Sequence, residues 1–196
     1  VGLNAQNLAF YLELIPEAQL PHLKTDLIKG MVGLYELGQR PAQVPNLLNG
    51  ACVLDTLSDS YLSMHTSKVS TLSIKMLKHK ADTTSILAVV KSVKAVGTTD
   101  SSISFFTNTW SKIATEKYFD LPTAQNFYRV NDKVSLDEFS KYCIPLIIEY
   151  KIDGDTISAT IDPEKYLPEE VYKQISPAVS KEAVRYVWDG NRYVKN

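Results

Sequence analysis

Two hydrophobic periods alternate along this chain, and their order predicts its architecture. Residues 7–15 place Leu8, Tyr11, Leu12 and Ile15 at the spacing of one helix face. Pro16 interrupts that segment, and Pro21 suits the start of another turn. Thr25 and Asp26 offer caps for a second helix. Leu27, Ile28, Met31, Val32, Leu34, Tyr35 and Leu37 form its wide apolar stripe, which Gly38 is placed to end in a left-handed conformation. Gly30 and Gly33 inside that helix each cost about 1 kcal/mol against Ala, so it leans on tertiary packing. Their spacing also allows a neighbouring backbone to approach closely. Pro41 and Pro45 mark a loop.

From Cys52 the period changes to two. Strands are expected at 52–57, 61–66, 71–77, 86–93 and 103–106. The alternation is clearest where Leu72, Ile74 and Met76 oppose Thr71, Ser73 and Lys75. Ser58-Asp59 and Ser67-Lys68 are short enough for hairpin turns, and Ala81-Asp82-Thr83-Thr84 forms another turn. Residues 86–90 are apolar on both faces, which predicts the central, most buried strand. This part reads as a meander.

Residues 115–132 read as a connection, broken at Leu121-Pro122-Thr123 and pinned to a core by Tyr118, Phe119, Phe127 and Tyr128. Ser135-Leu136-Asp137-Glu138 has capping-box spacing, which predicts a short helix to Tyr142, stopped by Pro145. Two hairpins come next: 146–152 and 156–161 around Asp153-Gly154, then 183–188 and 192–195 around Asp189-Gly190. Asp-Gly in a two-residue loop predicts a type I′ turn, which needs positive φ at both central positions. Between them Pro168 opens a helix over 169–175, whose Glu169 and Glu170 suit the positive helix N-terminus.

The predicted fold is α+β: N-terminal helices packed on an antiparallel β meander, followed by a smaller helix-plus-hairpin unit. The expected division is 1–130 and 131–196, with one continuous domain as the alternative. A faint internal echo, helix before paired strands and a Trp-bearing β segment closing each half (Trp110, Trp188), suggests duplication.

Composition narrows the function classes. The net charge is −1 with Lys and Arg scattered, which leaves no electrostatic footprint for nucleic acid or an anionic membrane. The longest apolar runs are too short to span a bilayer. Cys52 and Cys143 share no metal-site spacing; two buried free thiols are expected, with a disulfide as the alternative in an oxidising compartment. Val1-Gly2-Leu3-Asn4-Ala5-Gln6 reads as the tail of an export signal, with Ala5 at the small-residue cleavage position; an ordinary frayed terminus is the alternative.

Candidate chemistry is sparse. His22, His65 and His79 show no H-x-x-x-H spacing. Tyr61, Ser63 and His65 share a strand face with Asp59 just beyond, a tempting Ser-His-Asp set, but a triad needs several elements to converge. The polar solvent face of an edge strand is the favoured explanation. The acidic run Asp153-Gly154-Asp155 lacks the following glutamate of a calcium loop and is explained as a turn. Asp137-Glu138 and Glu169-Glu170 sit at helix starts, where capping accounts for them. No cofactor and no metal site are expected. The remaining candidates are aromatic: Tyr186 and Trp188 share one strand face with Tyr193 across the turn, a candidate binding platform for sugars or peptides. Core packing is the favoured alternative.

The residues Leu14-Ile15-Pro16, Asp26-Leu27-Ile28, Leu34-Tyr35, the run 54–62 (Leu-Asp-Thr-Leu-Ser-Asp-Ser-Tyr-Leu), Val93-Lys94-Ala95, the run 100–106 (Asp-Ser-Ser-Ile-Ser-Phe-Phe) and Trp110 give the stretch 11–128 a likeness. It resembles a family of unknown function among exported proteins of Gram-negative gut anaerobes. The ending 186–194 is similar to the closing hairpin of many exported β-rich bacterial proteins. The resemblance implies export past the inner membrane and assigns no functional residue. The expected function is therefore a non-enzymatic exported binding or protein-interaction module, outside the cytoplasm in the periplasm or at the cell surface. Its expected partner is a protein or glycan at the cell envelope. The alternatives are an extracytoplasmic hydrolase with an unrecognised site and a structural envelope component.

Overall fold

A computed structural model describes residues 7–81, 84–95 and 97–196. The expected signal remnant 1–6 and the centre of the 81–84 turn, Asp82 and Thr83, lie outside the described residues. The chain forms two compact units: Val1–Lys91 with Ile103–Ala114, and Ser92–Ser102 with Thr115–Asn196. The 115–132 connection and the end of one long hairpin thus group with the C-terminal residues. Among the described residues, the strands form a seven-stranded and a four-stranded antiparallel sheet, so the fold is α+β.

The first unit begins with α1 (Leu8–Glu13), where the Asn7 side chain accepts from Phe10 N–H at 3.2 Å. Helix α2 (Thr25–Glu36) buries Ile28, Met31, Val32 and Tyr35. The expected caps Thr25 and Asp26 are instead helical residues; Lys24 is the cap and makes no side-chain bond. Asp26 still lies in the first turn, where its charge suits the helix dipole. Gly38 does end the helix at φ +95°, with Gly38 N–H donating to Tyr35 O and Gln39 N–H to Leu34 O. That is the Schellman pattern, which spares the last carbonyls. A Cβ on Gly30 or Gly33 would meet nothing within 4 Å, so no neighbour uses the close approach their spacing allows.

The strands are spatial neighbours in chain order: β1 (Ala42–Pro45), β2 (Ala51–Leu57), β3 (Tyr61–His65), β4 (Ser70–Lys78), β5 (Ser85–Ala95), β6 (Thr98–Thr107) and β7 (Lys112–Ile113). The meander is as expected, and two edge strands are added to it. Pro41 just before β1 and Pro45 at its end point to a loop by sequence, but an edge strand tolerates them. Strands β5 and β6 also run further than their apolar cores, to a turn where Gly97 holds φ +82°. Residues 86–90 are all buried, and β5 lies inside the sheet. Alternate residues Ala42, Val44, Cys52, Leu54, Leu62, Met64, Leu72, Ile74, Leu87 and Val89 meet α1 and α2 in one core. Trp110 closes it, its indole N–H donating to Tyr11 O at 2.9 Å.

In the second unit, α3 (Leu136–Tyr142) carries the expected capping box between Ser135 and Glu138. The four-stranded sheet runs in the order β11 (Tyr193–Lys195), β10 (Val184–Trp188), β9 (Thr156–Thr160), β8 (Glu149–Asp153). Helix α4 (Glu169–Ile175) lies between the two hairpins in sequence. Both Asp-Gly hairpins form, one residue displaced from expectation. Asp153 pairs with Thr156, so the loop is Gly154-Asp155, and Gly154 alone has positive φ. That is the type II′ pattern, with Gly at the first central position, rather than type I′. In the second hairpin Asp189 N–H donates to Arg192 O, which leaves Gly190-Asn191 as the loop. The Asp189 carboxylate accepts from the Asn191 and Arg192 amides at 2.7 and 2.9 Å. The aspartates act as strand ends and turn acceptors, and the glycines supply the unusual φ.

Candidate functional site

The aromatic residues singled out in the sequence meet on the second unit's sheet. Register pairs Trp188 with Tyr193 and Tyr186 with Lys195. Phe119, fully buried, lies over this face with ring centroids 4.6 Å from Tyr186, 5.8 Å from Tyr150 and 6.0 Å from Tyr193. Trp188 packs at 5.4 Å from Tyr193 and 5.9 Å from Tyr118. Tyr186 is 3% exposed and Tyr193 1%, while Trp188 is half-buried. Their rings therefore build the core, where edge-to-face pairs gain from ring quadrupoles. The sequence marks these residues as aromatic but gives no sign that Phe119 joins them, because its place comes from the fold of the 115–132 connection.

Tyr186 and Tyr193 nonetheless reach a boundary. Together with Asp120, Leu121, Asn126, Arg192, Val194 and Lys195 they line an open cleft of about 480 Å³. Its two walls have different origins. One is the 120–126 stretch, shaped by a 3-10 turn over Ala124–Phe127 whose capping box joins Thr123 and Asn126. The other is β11, an edge strand. Tyr193 N–H points outward from the sheet and donates to Tyr118 O at 2.8 Å. Because backbone groups alternate along an antiparallel strand, Lys195 N–H and C=O point to the same outer side. Arg192 and Asp120 form an ion pair at 2.7 Å at the cleft's polar side. Leu121 and Val194 are exposed there.

Electrostatics keep the tyrosines neutral. Burial raises the Tyr193 hydroxyl far above the ordinary phenol range, with Asp155 adding to it. Burial and the charge of Asp120 raise Tyr186. Burial, then Tyr186 and Asp100, raise Tyr150. Such groups can bind through hydrogen bonds and ring contact, but they do not exchange protons near neutral pH.

Elsewhere, His65 does meet a carboxylate, but it is Asp55, whose Oδ2 lies 2.7 Å from His65 Nδ1. A register shift in β2 between Leu54 and Thr56 turns Asp55 toward β3, a bulge that residue spacing alone does not reveal. Asp59 instead contributes its carbonyl to Leu8 N–H. The His65–Asp55 pair is solvent-exposed on an outer strand face. His79 accepts from Ala81 N–H in a turn. Glu138 is held below its usual range by the Ser135 amide and hydroxyl, as a cap should be. Glu169 and Glu170 pair with Lys173. Among the described residues, no group of three or more His, Cys, Asp or Glu side chains is placed to hold a metal ion. Cys52 and Cys143 are free and buried, and burial raises both thiols.

A family model, "Protein of unknown function (DUF3256)", matches residues 1–193, and the chain belongs to that family. The match extends past both ends of the 11–128 stretch that carries the resemblance. No curated protein matches the chain. Among solved structures, the chain is similar to a domain of an uncharacterized protein from Porphyromonas gingivalis W83. The TM-score is 0.82 at 21% identity, covering 96% of this chain and 97% of that one. At that identity the likeness concerns the fold.

Proposed function

We propose that this member of a family of unknown function is a non-enzymatic exported binding or protein-interaction module, and that its site is the cleft beside β11. The observation that carries the reading is the pairing of two walls around one opening. The outward Lys195 backbone offers a donor and an acceptor, as an edge strand does for an added strand. Leu121 and Val194 offer apolar contact, and Arg192, Lys195 and Asn126 offer hydrogen-bond donors. An extended peptide segment of an envelope partner matches that set better than a glycan, because strand addition uses the backbone groups a sugar lacks.

The localisation part rests on the resemblance to exported proteins carried by the stretch 11–128. Fractionation of the native host with an antibody to the chain tests it; recovery with cytoplasmic markers would sink it. For the site, titration of the labelled chain with panels of acidic extended peptides and of oligosaccharides is decisive. Peptide-induced NMR shifts at 120–126 and 192–195, lost in Lys195→Pro, which removes the outward N–H and leaves the inward Val194 N–H in place, are expected. Shifts from oligosaccharides alone would replace the peptide by a glycan, and no shifts from either panel would reject the cleft.

A further inference from the structure

One end of the first unit's sheet displays apolar side chains on stiff supports. The β1–β2 loop, residues 46–50, exposes Leu47 at 55% and Leu48 at 54%. The neighbouring β3–β4 turn exposes Val69 at 52%. Since Val53 pairs with His65, the start of β2 and the end of β3 share one end of the sheet, and both tips project from it. Isolated exposed leucines are ordinary; adjacent ones on a rigid tip beside a second apolar tip are not.

The rigidity comes from a polar residue turned inward. Asn46 is 8% exposed, and its Oδ1 accepts from Leu48 N–H and Gly50 N–H, both at 3.0 Å. Its Nδ2 donates to Thr66 O at 3.1 Å, which ties the two tips together. Gly50 packs directly on this side chain: a Cβ there would touch Asn46 Oδ1 at 3.4 Å. Leu47 N–H donates to His22 O at 2.9 Å. In the second tip the Ser67 hydroxyl accepts from Val69 N–H and Ser70 N–H at 3.2 and 3.1 Å. These amides are satisfied within the protein, so they need no water while the apolar side chains face outward.

The charge within the tips themselves is Lys68, which is exposed; beside the first tip His22, Lys24 and Asp26 are exposed. No carboxylate occurs in 37–54 or 60–81. The nearest on this part of the sheet, Asp55, is held by His65.

We propose that these paired tips dock on an anionic lipid surface, with Leu47, Leu48 and Val69 entering the interfacial layer and Lys68, with Lys24, meeting the headgroups. Two projecting tips suit a planar interface, and their satisfied amides remove the main penalty of entering it. The surface lies in the unit that does not hold the cleft, so either reading can fail alone.

The test is co-sedimentation of the full chain with phosphatidylcholine vesicles and with vesicles one-third phosphatidylglycerol. Preferential binding to the anionic vesicles, weakened by salt, is expected. Leu47→Ser with Leu48→Ser should weaken it about tenfold. Lys68→Ala should weaken it about fivefold on anionic vesicles only. Val69→Ser is the second apolar probe, and thermal melts confirm that the variants stay folded. An unmodified chain that stays in the supernatant, or binding that ignores both the leucine and lysine changes, overturns the proposal. So does vesicle-independent self-association abolished by the leucine variant, which would make a second copy the occupant.

Discussion

The 46–50 loop and the closing hairpin that contains Tyr186, Trp188 and Tyr193 invert each other's chemistry. In the loop a polar side chain, Asn46, is buried and the leucines beside it face solvent. In the hairpin the Tyr186 and Tyr193 rings are buried, Trp188 is half-buried, and Arg192 and Lys195 lie on the outer rim. Position within the sheet explains the difference. A loop tip cannot reach the apolar core, so its inward residue is one that can satisfy loop amides. A strand face lies against the core, so its inward residues are large and apolar. An exposed apolar side chain is therefore informative at the first place, and a buried aromatic one uninformative at the second.

Five changes would break or sharpen that contrast. The largest effect is expected at Phe119→Ala. It removes the ring that three tyrosines pack against and should cost about 3–5 kcal/mol in urea unfolding followed by near-ultraviolet dichroism. A cost below about 1 kcal/mol would mean the aromatic cluster is not the second unit's core. Asn46→Ala comes next, at about 2–3 kcal/mol, because the Leu48 and Gly50 amides lose their partner and the Thr66 carbonyl keeps only the weak Cys52 thiol donor. Hydrogen exchange should speed up at Leu48 and Gly50; unchanged rates there would show that the tip is not held by Asn46.

Alkaline pH probes the buried tyrosines of the second unit, Tyr193 of the hairpin among them. The folded pKa values of Tyr150, Tyr166 and Tyr193 are raised, so their stabilising contribution is complete below the ordinary phenol value and is lost as pH rises beyond about 10. Ultraviolet titration should show these phenolates forming late and together with unfolding. Early, reversible ionisation would contradict their burial. Ser67→Ala should cost about 1 kcal/mol, since one hydroxyl serves two turn amides. Smallest of all, Leu47→Ser with Leu48→Ser should change stability by less than about 0.5 kcal/mol. A large loss in that variant's melting curve would show that the leucines already pack on the protein itself.

Much of the fold was legible because local signals agreed. The period-two pattern, the Ser135–Glu138 capping box and the Gly38 stop all describe interactions within a few residues. The hairpin loops slipped by one residue, from Asp-Gly to Gly-Asp and Gly-Asn, because the two-residue rule names a dipeptide while strand register decides which residue is central. Strand β1 was hidden by Pro41 and Pro45, and its edge position is a tertiary fact. The aromatic triplet is visible in the sequence; that two of its members are core and also border a cleft is not, since the opposite wall comes from residues some sixty positions earlier.

The sequence alone determined the class of fold, the order of the β meander, the Gly38 stop of α2, the Ser135 start of α3 and the location of both hairpins to within a residue, because each depends on side-chain period or on backbone preferences of single residues. Tertiary structure decided which polar groups meet. It put Asp55 rather than Asp59 beside His65, turned Asn46 inward beneath two leucines, and set β11 against the 120–126 stretch. Those outcomes depend on bulges, register and long-range pairing, which no short window of residues encodes.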